Sequence, residues 1–220
     1  EAAPSRVERL KEMFSRVTIP FVLKRADMVK LLSDNQLDAF HMDLDGMKTS
    51  TFPDFVPVRR FMESSRGDMK YILLVGYPWY LKGVDILIKA FNMISDEFPD
   101  YRLKIVGWCP EGRDYYERLA QNNGRIELCD PVYYHEIVPI MANCSLYVLA
   151  SRTEAMGRVL IEAMACRKPI IASNVGGVYS IIRDGYNGLF FEKENVHDLA
   201  GKMRHLLSCP DEADRLAGNG

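Results

Sequence analysis

The sequence contains no apolar run that approaches the length of a membrane span. Its apolar runs are short, such as the one at residues 71–75, whereas a helix that crosses a bilayer needs about 20 apolar residues. An excess of basic charge is also absent, because 28 Lys and Arg face 30 Asp and Glu for a net charge of -2. Proteins that grip nucleic acid through its phosphates are normally strongly basic. We therefore expect neither a membrane span nor a nucleic acid partner.

Paired cysteines are absent as well. The five cysteines are scattered, and none belongs to the Cys-x-x-Cys pair typical of zinc and redox sites. This pattern predicts reduced thiols that pack as small apolar side chains in a reducing compartment. No charged-then-apolar signal segment opens the chain, and we expect a cytoplasmic protein.

From residue 71 onward, short apolar segments alternate with amphipathic helical patterns. This alternation is typical of a doubly wound α/β domain, in which helices cover both faces of a parallel sheet. The predicted strands are Tyr71–Val75, Leu103–Val106, Arg125–Leu128, Leu146–Leu149, Pro169–Ala172 and Leu189–Phe191. The first intervening helix has Val84, Leu87, Ile88 and Phe91 on one face, and the last has Val196, Leu199, Met203 and Leu206. Asn195 stands where the last helix needs an N-terminal cap.

The first sixty residues do not repeat this pattern. A strand is predicted within residues 26–32, and Ser5 with Glu8 and Ser33 with Gln36 have the spacing of helix-capping boxes. One strand and two helices are too few for an independent core. The predicted organisation is the tail of a preceding domain and a crossover over residues 1–60, a linker over 61–70, a Rossmann-like nucleotide-binding domain over 71–208 and a C-terminal tail over 209–220.

The end of the first predicted strand is a candidate anion site. In an open parallel sheet, ligands bind at the carboxyl ends of the strands, where helix N-termini direct unpaired amides. Gly76 and Tyr77 end the first strand, and Lys82 stands at the entrance to the next helix. A lysine in that position suits a phosphate group. The alternative is an ordinary surface turn with a solvated lysine.

The end of the fourth predicted strand combines carboxylates with a glycine. Glu154 lies in the loop, Gly157 precedes the helix, and Glu162 lies about one turn inside it. The helix amides would receive a diphosphate, while the carboxylates would accept hydrogen bonds from hydroxyl groups. That division suits a sugar nucleotide. The alternative is an ion pair between Arg158 and Glu162, with Glu154 as a simple cap.

Two further segments carry candidate residues. Asn174–Gly177 follows the fifth predicted strand and offers backbone room for a ligand. Asp43 and Asp45 have the Asp-x-Asp spacing of a metal site, but they follow a predicted helix instead of ending a strand, and we expect no metal.

Several ordered motifs together resemble the retaining glycosyltransferases of family 4. Residues 151–177 contain Glu154 and Glu162 in the Glu-x7-Glu spacing of that family, followed by Gly176 and Gly177. The segment 81–91 resembles the family's Lys-Gly helix entrance, and 184–189 matches a further motif. The resemblance extends from about residue 26 to 207.

The resemblance implies the GT-B fold, in which two Rossmann-like domains enclose the active site. This chain resembles the C-terminal, donor-binding domain, and most of the other domain would lie outside these 220 residues. It implies transfer of a hexose from a nucleoside diphosphate sugar, with retained configuration and no metal or other cofactor. The acceptor would be a glycan, a lipid or a small molecule, and any membrane contact would belong to the other domain.

The same resemblance implies a role for each matching residue. Lys82 would neutralise the diphosphate, and the amides of Gly157, Arg158 and Val159 would bind phosphate or sugar. Glu154 would hold sugar hydroxyls and Glu162 the ribose, so that Glu154 and Lys82 form the catalytic pair. The base would lie near Trp108 and the segment 128–132, with Leu128 and Asp130 among its contacts.

The sequence departs from the family at three positions. Tyr77 replaces the usual arginine, which removes one phosphate-binding cation unless Arg158 or Arg152 substitutes. Asp130 stands where glycine is common, and Ser180 where glutamate is common. A sugar-nucleotide epimerase on the same fold, and a non-catalytic nucleotide-sugar-binding or scaffold module, are the alternative functions.

Overall fold

The chain divides into two compact units, Glu1–Asp54 and Phe55–Gly220. The computed structural model describes residues 18–19, 21–23, 25–32, 48–52, 55–109 and 112–220.

The described part of the first unit contains a two-stranded parallel sheet. Strand β1 (Val29–Leu31) pairs with β2 (Thr49–Thr51), and residues 18–19 and 21–23 are helical. The prediction of a strand within 26–32 is confirmed. Strand β2 was not predicted, because a Thr-Ser-Thr segment lacks an apolar run. The capping-box helices predicted at Ser5 and Ser33, and the Asp43–Asp45 segment, lie outside the described residues.

The second unit is a doubly wound α/β domain. Its elements are, in order, α1 (Val58–Met62), β3 (Tyr71–Val75), α2 (Val84–Ile94), β4 (Arg102–Val106), α3 (Arg113–Ala120), β5 (Ile126–Cys129), α4 (Tyr134–Asn143), β6 (Leu146–Leu149), α5 (Arg158–Ala165), β7 (Ile170–Ser173), a 3₁₀ turn (Gly176–Ser180), β8 (Leu189–Phe191), α6 (Val196–Ser208) and α7 (Pro210–Gly218). All six strands predicted here are confirmed, with ends that differ by at most one residue.

The six strands form one parallel sheet in the order β5-β4-β3-β6-β7-β8. The first strand of this unit, β3, lies in the middle of the sheet, and β4 and β5 follow on one side of it. The chain then returns to the other side of β3, where β6, β7 and β8 follow in order. The direction of winding therefore reverses between β3 and β6. At such a switch point the following loops diverge and leave a crevice above the carboxyl ends of the strands.

Both faces of the sheet are buried under helices. Ile72 and Leu74 of β3 point to one face, and Tyr71 and Leu73 point to the other, as the alternation along a strand requires. Helices α2, α3, α6 and α7 contribute to the first core, and α1, α4 and α5 to the second. Burial on both faces explains why the strands are continuous apolar runs. Each large apolar side chain that is fully buried stabilises the fold by about 1.5–3 kcal/mol.

The predicted Asn195 cap and the predicted apolar face of α2 also appear in the structure. The four apolar positions of α2 are completely buried, and in α6 the Asn195 side chain accepts a hydrogen bond from the Asp198 amide at 3.0 Å.

The structure differs from the predicted boundaries at both ends of this domain. Within the expected linker 61–70, Phe61 is fully buried, and the Gly67 amide donates to the Ala142 carbonyl. The expected tail 209–220 contains α7, whose Leu216 is fully buried in the first core. Pro210 in its first turn, followed by Asp211, is a helix-start signal. Both segments are ordered because their apolar side chains pack against the sheet's helices.

No helix in the described parts of the chain has the length and apolar character needed to cross a membrane.

Candidate functional site

Two loops face each other across the switch point. The β3–α2 loop carries Gly76, Tyr77 and Lys82, and the β6–α5 loop carries Glu154 and Gly157. The Arg152 amide donates to the Leu81 carbonyl at 2.8 Å, which joins the two loops through their backbones. The residues predicted after the first and fourth strands are therefore brought together.

Gly83 permits this close approach. It stands before α2 with a φ of +64°, and a Cβ there would lie 2.0 Å from the Ala150 carbonyl oxygen. A larger residue would separate the start of α2 from the end of β6. The contact therefore fixes Lys82 opposite Glu154.

Lys82 and Glu154 form an ion pair at the bottom of this crevice. The Lys82 Nζ lies 2.6 Å from Glu154 Oε2, and the two side chains are 19% and 12% exposed. The Ser151 hydroxyl donates to the same oxygen at 3.3 Å. Glu154 is thus more than the cap that the alternative interpretation suggested, and Lys82 is not a solvated surface lysine.

Gly176 and Gly177 support the Glu154 loop. The Gly177 amide donates to the Glu154 carbonyl at 3.2 Å. A Cβ at Gly176, whose φ is +48°, would lie 2.1 Å from that carbonyl oxygen. The backbone room expected here for a ligand is occupied by the loop itself.

Arg152 is committed to protein contacts. Its guanidinium donates to both carboxylate oxygens of Asp85 at 2.8 and 2.9 Å, to Glu194 at 2.7 Å and to the Tyr80 carbonyl at 2.7 Å. It also lies over the Tyr80 ring. Asp85 is buried. Arg152 therefore does not replace the cation that the family carries at position 77.

Arg158 is the other candidate for that role. It is exposed in the first turn of α5, and it makes no salt bridge with any residue that the structure describes. Gly157 precedes it with a φ of +81°. The alternative ion pair between Arg158 and Glu162 is not formed.

Glu162 is a nearly buried carboxyl group, with 4% exposure. The Tyr134 hydroxyl donates to its Oε1 at 3.0 Å. Burial disfavours the charged form and raises the pKa of Glu162, although the Tyr134 hydrogen bond and the Arg158 charge oppose the shift. Burial and the neighbouring carboxylate raise the pKa of Tyr134 to about 12, so that it remains a hydrogen-bond donor at neutral pH.

An apolar cleft of about 510 Å³ lies beside these carboxylates. It crosses the ends of β3, β4 and β5, and its lining includes Gly76, Tyr77, Trp108, Val132 and Tyr134. Tyr77 and Trp108 are 63% and 54% exposed and meet edge to face at 6.3 Å. Such a surface suits a planar ring. Tyr134 both lines the cleft and donates to Glu162, so one side chain connects that carboxyl group to the cleft.

The predicted contacts Leu128 and Asp130 do not line this cleft. Arg113 donates to the Leu128 carbonyl at 2.8 Å and pairs with Asp130 at 2.7 Å. The structure places Pro131 and Val132 of the same segment in the cleft instead.

Within the described residues, no three His, Cys, Asp or Glu side chains cluster as they would around a metal ion.

Sequence reasoning missed Tyr134 and Ser151, which hold the two glutamates. Tyr134 opens a helix after the third strand of the domain, so its partner Glu162 is 28 residues distant in sequence. Ser151 lies within the recognised motif, and its separation of three residues from Glu154 was the one available signal.

Comparison with other proteins places this geometry in a family. The family model described as "Glycosyl transferases group 1" matches residues 57–220. The chain is 36% identical over 190 residues to an uncharacterised glycosyltransferase of Methanocaldococcus jannaschii, covering 84% of this chain and 50% of that protein. It is 28% identical over 191 residues to a D-inositol 3-phosphate glycosyltransferase of Paenarthrobacter aurescens, covering 82% and 47%. The chain thus spans about half the length of these curated relatives.

Solved structures show the same fold. HepE of Anabaena in complex with UDP and glucose has a TM-score of 0.79 at 21% identity, with 95% of this chain and 62% of that chain covered. Sucrose-phosphate synthase of Thermosynechococcus elongatus has a TM-score of 0.81 at 23% identity, with 94% and 55% covered. The doubly wound domain is the C-terminal half of the GT-B architecture. Since the family model covers well over half of its residues, the chain belongs to the glycosyl transferases group 1 family.

Proposed function

We propose that this chain is the donor-binding half of a retaining glycosyltransferase of family 4. The whole enzyme transfers a hexose from a nucleoside diphosphate sugar to a glycan, lipid or small-molecule acceptor. The observation that carries the proposal is the Lys82–Glu154 pair, held at 2.6 Å between the ends of β3 and β6. It lies where the sheet's switch point opens a crevice, beside an apolar cleft and the start of α5.

The order of groups along the crevice matches the parts of a sugar nucleotide. The base packs against Tyr77, Trp108 and Val132 in the cleft, whose exposed rings offer stacking surfaces. The ribose hydroxyls donate to Glu162, which Tyr134 connects to the cleft. Glu162 is suited to this because it is already held by Tyr134 in a site that is 4% exposed.

The diphosphate and the sugar occupy the other end of the crevice. The diphosphate lies against Lys82 and the amides of Gly157, Arg158 and Val159, where the partial positive charge of the α5 N-terminus adds to that of the lysine. The sugar hydroxyls donate to Glu154. As the bond to the sugar breaks, negative charge grows on the diphosphate, and Lys82 with these amides stabilises it. This positive field takes the part that a metal ion would otherwise play.

The comparisons support the donor class. A similar fold has been solved with UDP-glucose, and another relative is named an alpha-D-kanosaminyltransferase. The scattered cysteines, which lack paired spacing in the sequence, support the further proposal of a cytoplasmic enzyme.

Calorimetric titration of the chain with UDP, GDP and ADP, each with and without an attached hexose, tests the proposal. We expect one base to bind. Glu162→Gln should weaken that binding about tenfold, because a charge-assisted hydrogen bond to the ribose is lost. Glu127→Gln, which removes a carboxylate paired with Lys104 at 3.1 Å, is the matched control and should bind as the parent does. A chain that binds none of the six ligands would refute the proposed donor site.

The catalytic part of the proposal requires the full-length enzyme. Mass spectrometry of the reaction products separates transfer from epimerisation, because transfer adds a hexose to the acceptor whereas epimerisation leaves the mass of the donor unchanged. Proton coupling constants of the new linkage then distinguish retained from inverted configuration.

A further inference from the structure

The two groups proposed to hold opposite ends of the donor hold each other in this structure. Lys82 is directed to the diphosphate and Glu154 to the sugar, yet their charged atoms are 2.6 Å apart. The Ser151 hydroxyl is a second, neutral donor to the same Glu154 oxygen. Any ligand that recruits Lys82 must therefore draw it away from Glu154. This point depends on the proposed function, because it assumes a diphosphate at Lys82.

No other cation in the described structure replaces Lys82 beside Glu154. Arg152 is nearest in sequence, but Asp85, Glu194 and the Tyr80 carbonyl occupy its guanidinium. Arg158 forms no salt bridge with Glu154. The Glu154 side chain is 12% exposed, so water does not fully compensate the loss of its lysine. A largely buried carboxylate without a cation beside it is unfavourable.

The sugar-bearing donor and the free nucleoside diphosphate differ in the hydrogen bonds that they offer to the Glu154 carboxylate. Both recruit Lys82 to phosphate. The sugar nucleotide then supplies hydroxyl groups that donate hydrogen bonds to Glu154. The nucleoside diphosphate has no sugar and supplies no hydrogen bond there. We infer that Glu154 is a specificity-determining residue: it makes the nucleoside diphosphate product a weaker ligand than the sugar-bearing donor by competing for Lys82. The same contact favours release of the product after transfer.

The test compares the affinities of the two ligand types in the parent and in Glu154→Gln. Glutamine retains the shape but has no charge to compete for Lys82. The probes are UDP with UDP-glucose, GDP with GDP-mannose, and ADP with ADP-glucose, and the pair used is the one that the parent binds. Glu154→Gln should bind the nucleoside diphosphate about threefold to tenfold more tightly, while the sugar-bearing donor should gain nothing or lose affinity.

Two further variants isolate the cause. Lys82→Gln should weaken the binding of the nucleoside diphosphate, and adding Glu154→Gln to it should give no gain, because the lysine under competition is absent. Glu127→Gln removes the carboxylate of a second lysine–glutamate pair, Lys104–Glu127, and should leave both affinities unchanged. Thermal unfolding of each variant checks that the fold is retained.

The outcomes separate this inference from the proposed function. If the parent binds no nucleotide, the proposed function fails and the inference fails with it. If the parent binds but Glu154→Gln has the same or lower affinity for the nucleoside diphosphate, the inference alone is overturned. It is also overturned if both ligands gain equally, or if the full gain persists in the Lys82→Gln background.

Discussion

At the scale of single residues, the two glutamates of the motif have different environments. Glu154 is paired with a cation, whereas Glu162 has a neutral partner in Tyr134 and is more deeply buried. Burial raises the pKa of Glu162 above its ordinary value of 4.5. Keeping a carboxylate in this state lowers folding stability, a cost that sites for polar ligands often carry.

The first prediction concerns the pH dependence of stability. A carboxyl whose pKa is raised by folding binds its proton more tightly in the folded state, so its contribution to stability falls as the pH rises from 4.5 through the raised pKa. Glu162→Gln removes this titration and retains an oxygen for Tyr134. We expect the variant to gain stability relative to the parent as the pH rises through that window. Urea unfolding between pH 4 and pH 8 measures the difference, and a constant difference would contradict the prediction.

At the scale of elements, the site depends on how the loops after β3, β6 and β7 contact one another. Gly83 meets the end of β6, and Gly176 meets the carbonyl of Glu154. Arg152 links the start of α2, through Asp85, to the loop before α6, through Glu194. These contacts between groups of the protein position Lys82 and Glu154.

The glycine contact predicts an unequal effect of two similar substitutions. Gly176 and Gly185 both have positive φ, at +48° and +68°, but a Cβ at Gly185 would meet nothing within 4 Å. Gly185→Ala should therefore lower the unfolding free energy by about 1 kcal/mol, because of the backbone conformation alone. Gly176→Ala should cost at least about 2 kcal/mol more, because the Glu154 loop must move. Chemical denaturation measures both, and equal losses would show that the loop contact is unimportant.

The arginine network predicts a large effect of a single carboxylate. Asp85→Ala leaves the Arg152 guanidinium without its bidentate partner in a site where the two side chains are 14% and 9% exposed. The expected loss is about 3 kcal/mol of unfolding free energy. Glu97→Ala is the matched control, because Glu97 also forms a bidentate pair, with Arg204, but on the exposed surface. Glu97→Ala should lose much less unfolding free energy. Comparable losses in the two variants would show that burial does not make the Asp85–Arg152 pair more important than a surface pair.

At the scale of the whole molecule, the order of the strands creates the site. The sheet winds outward from β3 in one direction and from β6 in the other, and the crevice opens between them. All the donor contacts proposed above lie on this one domain. An acceptor hydroxyl would have to be positioned from a facing domain, as the GT-B architecture provides.

This division predicts binding without transfer. The chain alone should bind the nucleoside diphosphate and its sugar donor, and it should transfer no sugar to an acceptor. Orientation of two substrates accounts for about 7–11 kcal/mol of barrier lowering, and the contacts proposed on the described residues position the donor alone. A radiolabelled-donor assay with candidate acceptors tests this. Transfer well above the rate of spontaneous hydrolysis would show that the chain holds a complete active site.

The sequence by itself determined the six strands of the second unit and the helices α2 and α6. Strands buried on both faces are apolar runs, and the helices that cover them have an apolar face, so both are visible in local periodicity. The six strands, the apolar face of α2 and the Asn195 cap were predicted for this reason. The motif that contains Glu154 and Glu162 was visible in the same way, because it occupies one strand end and the helix that follows.

The tertiary structure alone decided which of these residues meet. Lys82 and Glu154 are 72 residues apart in sequence, and Arg152 is 67 residues from Asp85. Both contacts arise because β6 lies next to β3, and local periodicity carries no information about strand order. The same reason explains why Arg152 is a candidate phosphate ligand in the sequence. Helix α7 is not predicted although Pro210 and Asp211 form a local start signal, because only the tertiary structure shows that Leu216 packs into the first core.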